Sequence, residues 1–356
     1  MRIGIFDPYL DDLGGGEKYM MTIAQCLSEN HKVDVFWDNI NDLKGLNQRF
    51  PLDLSKVKLV PNIFSPRITI VKRLIETKKY DVIIFLSDGS LPLVLSKKLF
   101  VHIQQPLKVM QTSSLLDKLK IARVNRFFCN SEFTKSFIDK EFHLKSVILY
   151  PPVWLHPKEV KKENIILHVG RFRVRNVKND DYKKQGVMID AFKKMIAKGL
   201  KDWKFVLAVS IQEKDRDAFE AMKKKAVEFP IEFLVNKNNN ELWDIYSKAK
   251  IYWHASGFGE DLEMNPEYAE HFGISTVEAM GAGAVPVVIN AGGQKEIVSD
   301  GIDGFLWDSI DELQSKTLEL IKDETLLNKL SKQAIKSSKK FSKERFYQGI
   351  NDLVLG

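Results

Sequence analysis

The sequence predicts an α/β fold made of two doubly wound domains, each built on a parallel β-sheet. Short apolar segments typical of buried strands alternate with segments whose apolar residues recur at helical spacing, and this alternation favours parallel sheets. The pattern stops at Pro151-Pro152, where a charged segment follows, and then begins again. A length of 356 residues is also too great for one small hydrophobic core.

In the first half, the glycines Gly14, Gly15 and Gly16 separate the first predicted strand from a helix. A strand, a glycine loop and a helix in this order are typical of nucleotide-binding folds, and glycines let the backbone approach a ligand closely. Tyr19 stands where the dinucleotide fingerprint needs its third glycine, which argues against an NAD-dependent oxidoreductase. The alternative is a plain surface turn.

Further helices are predicted at residues 68–79, at 115–124 and after Ser131, which is the predicted N-cap residue of its helix. The first two are basic and apolar, which suits either a solvated face or contact with an anionic membrane. The strands of this half are predicted at residues 3–6, 33–37, 56–60, 81–86, 99–103, 126–130 and 147–150.

The second half repeats the alternation. Its strands are predicted at residues 165–169, 205–209, 231–234, 251–253, 284–289 and 301–306, the last after a turn. Its helices are predicted at 186–197, 216–227 and 242–249, across 310–339, and at 341–353.

The composition indicates the class of protein and its compartment. The hydrophobic content of 44% and charged content of 28% are ordinary for a soluble globular protein. No apolar run approaches the roughly 18 residues that span a bilayer, and the first residues have no signal-peptide form. Cys26 and Cys129 lie in apolar segments, so we expect buried thiols in a reducing, cytoplasmic compartment.

The formal net charge of +7 suggests acidic partners. Nucleotide phosphates, lipid phosphates and the cytoplasmic face of an anionic membrane all fit this charge. Nucleic acid fits it too, but the sequence contains no recognition motif for nucleic acid, and we expect none to bind.

The stretch with the strongest chemical signal contains Glu270 and Glu278, which are separated by seven residues and a glycine turn. Ser275 and Glu278 have capping-box spacing, which predicts a helix that starts near Ser275. The amides of Gly273, Ile274 and Ser275 would then form an anion site at the helix N-terminus. A nucleotide sugar suits such a site, because its phosphates can bind the amides and its hydroxyls the two carboxylates. The alternative is a capping glutamate beside a surface charge.

The residues after Glu278 give this stretch a family likeness. The helix ends at glycine, a short Pro-Val strand follows, and a Gly-Gly turn opens another helix. In these features the chain resembles the family 4 retaining glycosyltransferases, of the glycosyl transferases group 1. The matching residues are Glu270, Phe272-Gly273, Glu278-Ala279-Met280, Pro286-Val287, Gly292-Gly293 and Glu296.

The resemblance implies the GT-B fold, in which two Rossmann-like domains face each other across a cleft. It assigns residues 1–153 to an N-terminal acceptor-binding domain and residues 154–338 to a C-terminal domain that binds the nucleotide sugar. The remaining residues, 339–356, would form a C-terminal helix that packs back on the N-terminal domain.

The resemblance also assigns roles to site residues. Glu270 would hold hydroxyls of the transferred sugar, and Glu278 those of the ribose. Arg171 and Lys184 would neutralise the departing diphosphate. The long polar segment from Arg171 to Lys184 contains six basic residues, and the choice between Lys184 and Lys183 stays open.

The resemblance implies further roles for residues that match the family by position. His102 would lie near the reacting carbon, although a histidine in an apolar strand is more often a core residue. Gly15 and Gly16 would approach the donor, Val235 and Lys237 would lie near the base, and the acidic insert at 256–269 is a candidate gate.

We therefore expect a retaining, metal-independent hexosyltransferase without a cofactor. Its donor would be a nucleoside-diphosphate sugar, its acceptor a glycan, lipid-linked or small-molecule hydroxyl, and its role polysaccharide or glycoconjugate biosynthesis. The triplet Asp215-Arg216-Asp217, which could suggest a metal, falls at a predicted helix start where a capping role explains it. The alternatives are a sugar-nucleotide epimerase of the same fold and a non-catalytic subunit that binds nucleotide sugar.

Overall fold

A computed structural model describes residues 1–12, 14–50, 52–110, 114–174 and 181–356. These residues form two compact units. The first unit contains Met1–Pro152 together with Lys343–Gly356, and the second contains Val153–Ser342. The functions that the sequence suggests for the two domains stay predictions.

The first unit is built on seven parallel strands in the order β3-β2-β1-β4-β5-β6-β7. The chain therefore starts in the middle of the sheet and extends it first to one side and then to the other. The strands are β1 (Arg2–Phe6), β2 (Lys32–Phe36), β3 (Val57–Val60), β4 (Val82–Leu86), β5 (Lys98–Ile103), β6 (Arg126–Cys129) and β7 (Ser146–Ile148).

Helices of the first unit lie on both faces of this sheet. Because parallel crossovers are right-handed, the reversal of strand order after β3 moves the later helices to the opposite face from the first two. The helices are α1 (Gly15–Ser28), α2 (Ile40–Arg49), α3 (Ile70–Thr77), α4 (Leu115–Arg123) and α5 (Glu132–Phe142). Ser131 caps α5 as predicted, by accepting a hydrogen bond from the Thr134 amide.

The second unit has six parallel strands in the order β10-β9-β8-β11-β12-β13. They are β8 (Glu163–Arg171), β9 (Lys204–Ser210), β10 (Ile231–Val235), β11 (Ala249–His254), β12 (Val285–Ile289) and β13 (Phe305–Trp307). Its helices are α6 (Gln185–Ala197), α7 (Arg216–Lys224), α8 (Asn239–Lys248), α9 (Ile274–Gly281), α10 (Gln294–Ile297), α11 (Ile310–Lys322) and α12 (Glu324–Ser338).

The last helix, α13 (Lys343–Leu355), belongs to the first unit. The ring of Phe346 meets the ring of Tyr19 edge-on, with centroids 5.1 Å apart. The Sγ atom of Cys26 lies 3.9 Å from the carbonyl oxygen of Tyr347. Cys26 and Cys129 are both buried free thiols, as expected from the sequence.

One helix was not predicted, and one predicted helix cap is wrong. The short helix α2 was not expected; Asn39 caps it, but few of its residues are apolar and its periodicity is weak. Asp215 does precede a helix, α7, but it does not cap it, because its carboxylate accepts a hydrogen bond from the Val174 amide instead. Part of the predicted basic loop, residues 175–180, lies outside the described residues. Among the helices that the structure describes, none combines the length and the apolar character needed to cross a membrane.

Candidate active site

The strand order of the second unit defines where a ligand is expected. The chain leaves β8 for β9 on one side and later returns to β11 on the other side of β8. The crevice outside the carboxyl ends of β8 and β11 is therefore a topological switch point, where open α/β sheets bind ligands. β8 ends at Arg171 and β11 ends at His254.

Glu270 is held at this edge of the sheet by two nitrogen groups. Its Oε2 atom lies 2.8 Å from Nε2 of His254 and forms an ion pair with the Lys183 ammonium. Burial alone would raise the pKa of Glu270, but the Lys183 charge and the His254 hydrogen bond hold that pKa well below its usual value. Glu270 is therefore a fixed carboxylate whose side chain is still 21% exposed.

His254 is neutral in this arrangement. It is 1% exposed, and burial lowers the pKa of its imidazole, which the Glu270 carboxylate only partly offsets. A neutral imidazole carries its proton on one nitrogen, and the carboxylate fixes that proton on Nε2. His254 therefore donates to Glu270 and sets the direction of its carboxylate.

A second buried histidine supports the site from β8. Nδ1 of His168 lies 3.0 Å from the carbonyl oxygen of Trp253, and its Nε2 lies 3.3 Å from the side-chain amide of Gln185. Burial lowers the pKa of His168 to about 3, so it too is neutral. These bonds join β8, β11 and the start of α6, the three elements that carry the site.

The turn after Glu270 forms the N-terminus of α9, which starts at Ile274, near Ser275 as predicted, but its cap differs from the prediction. Gly273 is the N-cap residue, with φ at +126°, and Ser275 lies inside the helix rather than capping it. Only glycine adopts such a backbone conformation easily. The Ser275 hydroxyl instead accepts a hydrogen bond from Tyr252 at 2.8 Å. The capping-box interpretation of Ser275 and Glu278 is therefore wrong.

The anion-binding geometry does not depend on that box. The first helical hydrogen bonds of α9 are donated to the Gly273 carbonyl by Thr276 and Val277. The amides of Gly273, Ile274 and Ser275 come before these bonds, at the end of the helix where the dipole favours negative charge. Their role in phosphate binding stays a prediction.

The Gly292-Gly293 turn packs against the residues that precede α9. The Gly293 amide donates to the Glu270 carbonyl at 2.7 Å. A Cβ atom on Gly293 would lie 2.4 Å from Cα of Phe272, and one on Gly292 would lie 2.4 Å from the Glu270 carbonyl oxygen. Only glycines let the two turns pack this closely, which gives the Gly-Gly part of the family pattern a physical reason.

Glu278 lies on the first turns of α9 and is also held. The Tyr246 hydroxyl of α8 donates to its Oε2 atom at 2.9 Å. At the other end of these helices, the Lys162 ammonium donates to the carbonyls of Ala249 and Ala282, at 2.8 and 2.6 Å. Lys162 thus links the C-terminal ends of α8 and α9, the two helices that carry Tyr246 and Glu278.

The predicted diphosphate cations have different surroundings. Lys184, with φ at +56°, precedes α6 and forms a 2.6 Å ion pair with Glu260 of the acidic insert, where both side chains are nearly buried. Lys183 reaches Glu270 instead. Arg171 ends β8 on the same edge. The structure therefore brings Lys183 to the predicted sugar-binding glutamate and Lys184 to the insert.

The predicted base-binding residues lie at the end of β10. Val235 is its last residue and is half-buried. The Lys237 ammonium forms a 2.7 Å ion pair with Glu241 in the first turn of α8. The role of Val235 and Lys237 in binding the base stays a prediction.

In the first unit, His102 lies in the core of β5. Its ring stacks between Tyr19 and Phe128, with centroids 4.4 and 4.6 Å away, and it is fully buried. Nδ1 of His102 lies 3.1 Å from the Phe128 carbonyl oxygen. Burial lowers the pKa of His102 to about 3. These surroundings fit the core-residue alternative, and a catalytic role stays a prediction.

The glycine loop begins α1, as predicted. Gly15 is the first helical residue, and the Gly14 amide donates to the Glu17 carboxylate at 2.5 Å. A Cβ atom on Gly16 would lie 2.4 Å from the Gln104 side chain, so this glycine admits the amide that follows β5. The predicted contact of Gly15 and Gly16 with a donor stays a prediction.

Among the described residues, no group of three or more histidine, cysteine, aspartate or glutamate side chains is placed to hold a metal ion. This finding does not test metal independence, which stays a prediction.

Comparison with known proteins identifies the family. The sequence model of the glycosyl transferases group 1 matches residues 156–337, which is about half of the chain and most of the second unit. The chain belongs to the glycosyl transferases group 1 family, and that part of the resemblance is confirmed.

One curated relative is a GDP-Man:Man(3)GlcNAc(2)-PP-Dol alpha-1,2-mannosyltransferase from Dictyostelium discoideum. It is 27% identical over 221 residues, which cover 58% of this chain and 41% of the relative. The chain thus spans about two fifths of the length of that relative.

Two solved structures show the fold. HepE from Anabaena, in complex with UDP, is 18% identical, with 100% of both chains covered and a TM-score of 0.72. A glycosyltransferase from Rickettsia africae is 14% identical, with 99% of this chain and 97% of that chain covered and a TM-score of 0.72. The predicted GT-B fold class, with its two parallel α/β sheets, is confirmed.

The sequence interpretation missed His254, Tyr246 and Lys162. Each acts through a contact with a residue far along the chain, so no local pattern marks it. His254 did have one usable signal, because a histidine ends the strand at the predicted switch point.

Proposed function

We propose that this chain is a retaining, metal-independent glycosyltransferase that moves a hexose from a nucleoside-diphosphate sugar to a hydroxyl acceptor. The observation that carries the proposal is the Glu270 carboxylate, fixed by His254 and Lys183 in the turn that starts α9. This carboxylate can accept hydrogen bonds from sugar hydroxyls, and it lies beside a helix N-terminus that suits phosphate groups. A nucleotide sugar has both kinds of group.

In the proposed complex, the diphosphate binds the amides of Gly273, Ile274 and Ser275 with the cations at the ends of β8 and α6. Arg171 and Lys184 are two of these cations, as predicted from the sequence. We add Lys183 as a third: donor hydroxyls that bind Glu270 would compete with its ion pair to Lys183, and the freed ammonium could then bind the diphosphate. Glu270 binds hydroxyls of the transferred sugar, and Glu278, directed by Tyr246, binds the ribose.

The proposed reaction breaks the bond between the anomeric carbon and the diphosphate oxygen and forms a bond from the acceptor oxygen on the same face. The acceptor proton leaves with the diphosphate. The main demand on the protein is stabilisation of the leaving group's charge, and removal of one such donor typically costs about 100- to 1,000-fold in rate. No cofactor takes part in this scheme.

Two comparisons support a nucleotide-sugar donor without deciding the base. The Dictyostelium relative is named for GDP-mannose and a dolichol-linked acceptor, and HepE was solved with UDP. We propose a lipid-linked or other glycan acceptor on the first of these grounds. Transfer is favoured over epimerisation, because the family and the named relative are transferases.

The test is a donor panel of UDP-glucose, UDP-N-acetylglucosamine and GDP-mannose, with polyprenyl-diphosphate glycans as acceptors. Release of the nucleoside diphosphate with acceptor extension supports transfer, and an unchanged anomeric configuration by NMR supports retention. Activity that survives EDTA supports metal independence. Interconversion of sugar nucleotides without release would establish the epimerase instead.

Glu270→Ala is the decisive variant, and Glu228→Ala, at an exposed glutamate of the same unit outside the insert, is its matched control. We expect Glu270→Ala to lose about 100-fold or more in turnover and the control to keep it. Unchanged turnover in Glu270→Ala, with donor still bound, would contradict the mechanism.

A further inference from the structure

Three short segments of the first unit are strongly basic. Residues 67–79, 95–98 and 115–123 contain ten basic and two acidic residues, which is a net charge of +8. The whole chain carries +7, so all its other residues together carry −1. The three segments contain all of α3 and all of α4.

These segments lie side by side. The crossover rule places α3 and α4 on the same face of the first sheet. The last residue of α3, Thr77, accepts a hydrogen bond from the Leu95 amide at 3.1 Å. The last residue of α4, Arg123, donates from its guanidinium to the Ser96 carbonyl. Residues 95–98 therefore join the C-terminal ends of the two helices, and we call the three segments together the basic apolar surface.

Large aliphatic side chains of both helices point to solvent on this surface. α4, all of which the structure describes, contains no buried residue, and Thr77 is the buried residue of α3. Between 49% and 77% of each of six side chains is exposed: Ile70, Val71, Ile75, Leu115, Leu116 and Leu119. Leu95, between the helices, is 49% exposed. Single exposed aliphatics need no explanation, but a group of seven marks an interaction site.

The chemistry of this surface favours a lipid bilayer over other acidic partners. Exposed aliphatic side chains interleaved with lysines are what interfacial helices bring to the headgroup and acyl boundary of anionic membranes. Nucleic-acid surfaces stack bases on aromatic rings, and the three segments contain no Phe, Tyr or Trp. The long lysine side chains can reach lipid phosphates while the aliphatic groups enter the bilayer.

We propose that the basic apolar surface binds an anionic phospholipid bilayer, with the aliphatic residues of α3 and α4 inserted and the surrounding lysines on lipid phosphates. The residues of this surface are different from those predicted to bind the donor. This contact would bring the enzyme to membrane-embedded substrates.

The test is sedimentation of the full chain with vesicles of phosphatidylglycerol and phosphatidylcholine, compared with phosphatidylcholine alone. We expect binding to the anionic vesicles only, with an affinity that falls as salt rises. A charge variant combines Lys72→Glu, Lys78→Glu and Lys118→Glu. Each lysine near an anionic surface contributes about fivefold in affinity, so this variant should lose about 100-fold or more.

The matched charge control reverses three exposed lysines of α12 in the second unit: Lys329→Glu, Lys332→Glu and Lys336→Glu. It changes the net charge equally and should lose far less. An apolar variant, Val71→Ser with Leu115→Ser, should lose about tenfold, whereas Val227→Ser, with an equally exposed side chain in the second unit, should lose nothing.

Thermal unfolding and nucleoside-diphosphate binding should be unchanged in every variant, which separates this proposal from the proposed function. Absence of sedimentation with anionic vesicles would overturn the proposal. Equal losses in the charge variant of the basic apolar surface and in its α12 control would overturn it as well.

Discussion

Replacement of His254 by phenylalanine tests how the sugar-binding carboxylate is held. Phe keeps a ring of similar size at a position that is 1% exposed, so the fold should tolerate the change. It removes the Nε2 proton that is donated to Glu270 at 2.8 Å. Lys183 remains as the partner of Glu270, but the direction of the carboxylate is no longer fixed from β11.

The expected magnitude follows from that single bond. A buried hydrogen bond to a charged group contributes about 1.5–3 kcal/mol. At about 1.4 kcal/mol per tenfold, kcat/KM with the sugar nucleotide should fall about 10- to 150-fold. The affinity for the nucleoside diphosphate alone should stay unchanged, because it carries no transferred sugar for Glu270 to bind.

The assay compares kcat/KM for transfer with the Kd of the nucleoside diphosphate by calorimetry. His254→Gln should recover most of the loss, since its side-chain amide can donate from near the Nε2 position. His156→Phe, at an exposed histidine of the same unit, is the control. The reasoning is refuted if His254→Phe leaves kcat/KM unchanged, or if it weakens binding of the nucleoside diphosphate as much as transfer.

Three further predictions follow from contacts around the same site. Tyr246→Phe should weaken binding of the nucleoside diphosphate and of the sugar nucleotide equally, by about tenfold, because the Glu278 that it directs is assigned to the ribose; unequal losses by calorimetry would contradict that assignment. Gly293→Ala should lower the free energy of unfolding by about 1–3 kcal/mol, because its Cβ meets the Phe272 backbone at 2.4 Å, whereas Gly186→Ala in α6, whose Cβ meets Asp181 at 3.5 Å, should be neutral or stabilising by up to about 1 kcal/mol in denaturant titration. Burial lowers the pKa of Lys162 to about 8 from 10.5, so the unfolded state binds the extra proton between these values and stability should rise with pH across that window. The free energy of unfolding of the unmodified chain, relative to that of Lys162→Met, should rise by up to about 3 kcal/mol from pH 8 to 10.5. A difference between the two free energies that does not change with pH would contradict the burial of a charged amine.

The strands were predictable because buried parallel strands are short, apolar and regularly spaced. Each of the thirteen described strands overlaps a predicted apolar segment. The helix α2 escaped prediction because Ile40, Leu43 and Leu46 give only a weak apolar stripe around Gly45. The cap of α9 was misjudged because a serine cap and a glycine at positive φ leave the same local pattern.

The site was predictable only in part. The spacing of Glu270 and Glu278 marked the turn, but not what holds either carboxylate. His254 precedes Glu270 by sixteen residues, and only the packed insert brings the two together. The choice between Lys183 and Lys184 depends on the left-handed backbone of Lys184, which directs neighbouring side chains to different partners. Sequence spacing carries no information about that turn.

The most direct test of the central claim is calorimetric titration of the full chain with UDP and UMP, and with GDP and GMP. The claim is that the N-terminus of α9 and the adjacent cations bind a diphosphate. We predict that at least one diphosphate binds about tenfold or more tightly than its own monophosphate. Equal affinity within both pairs, or no binding of either diphosphate, would contradict the account.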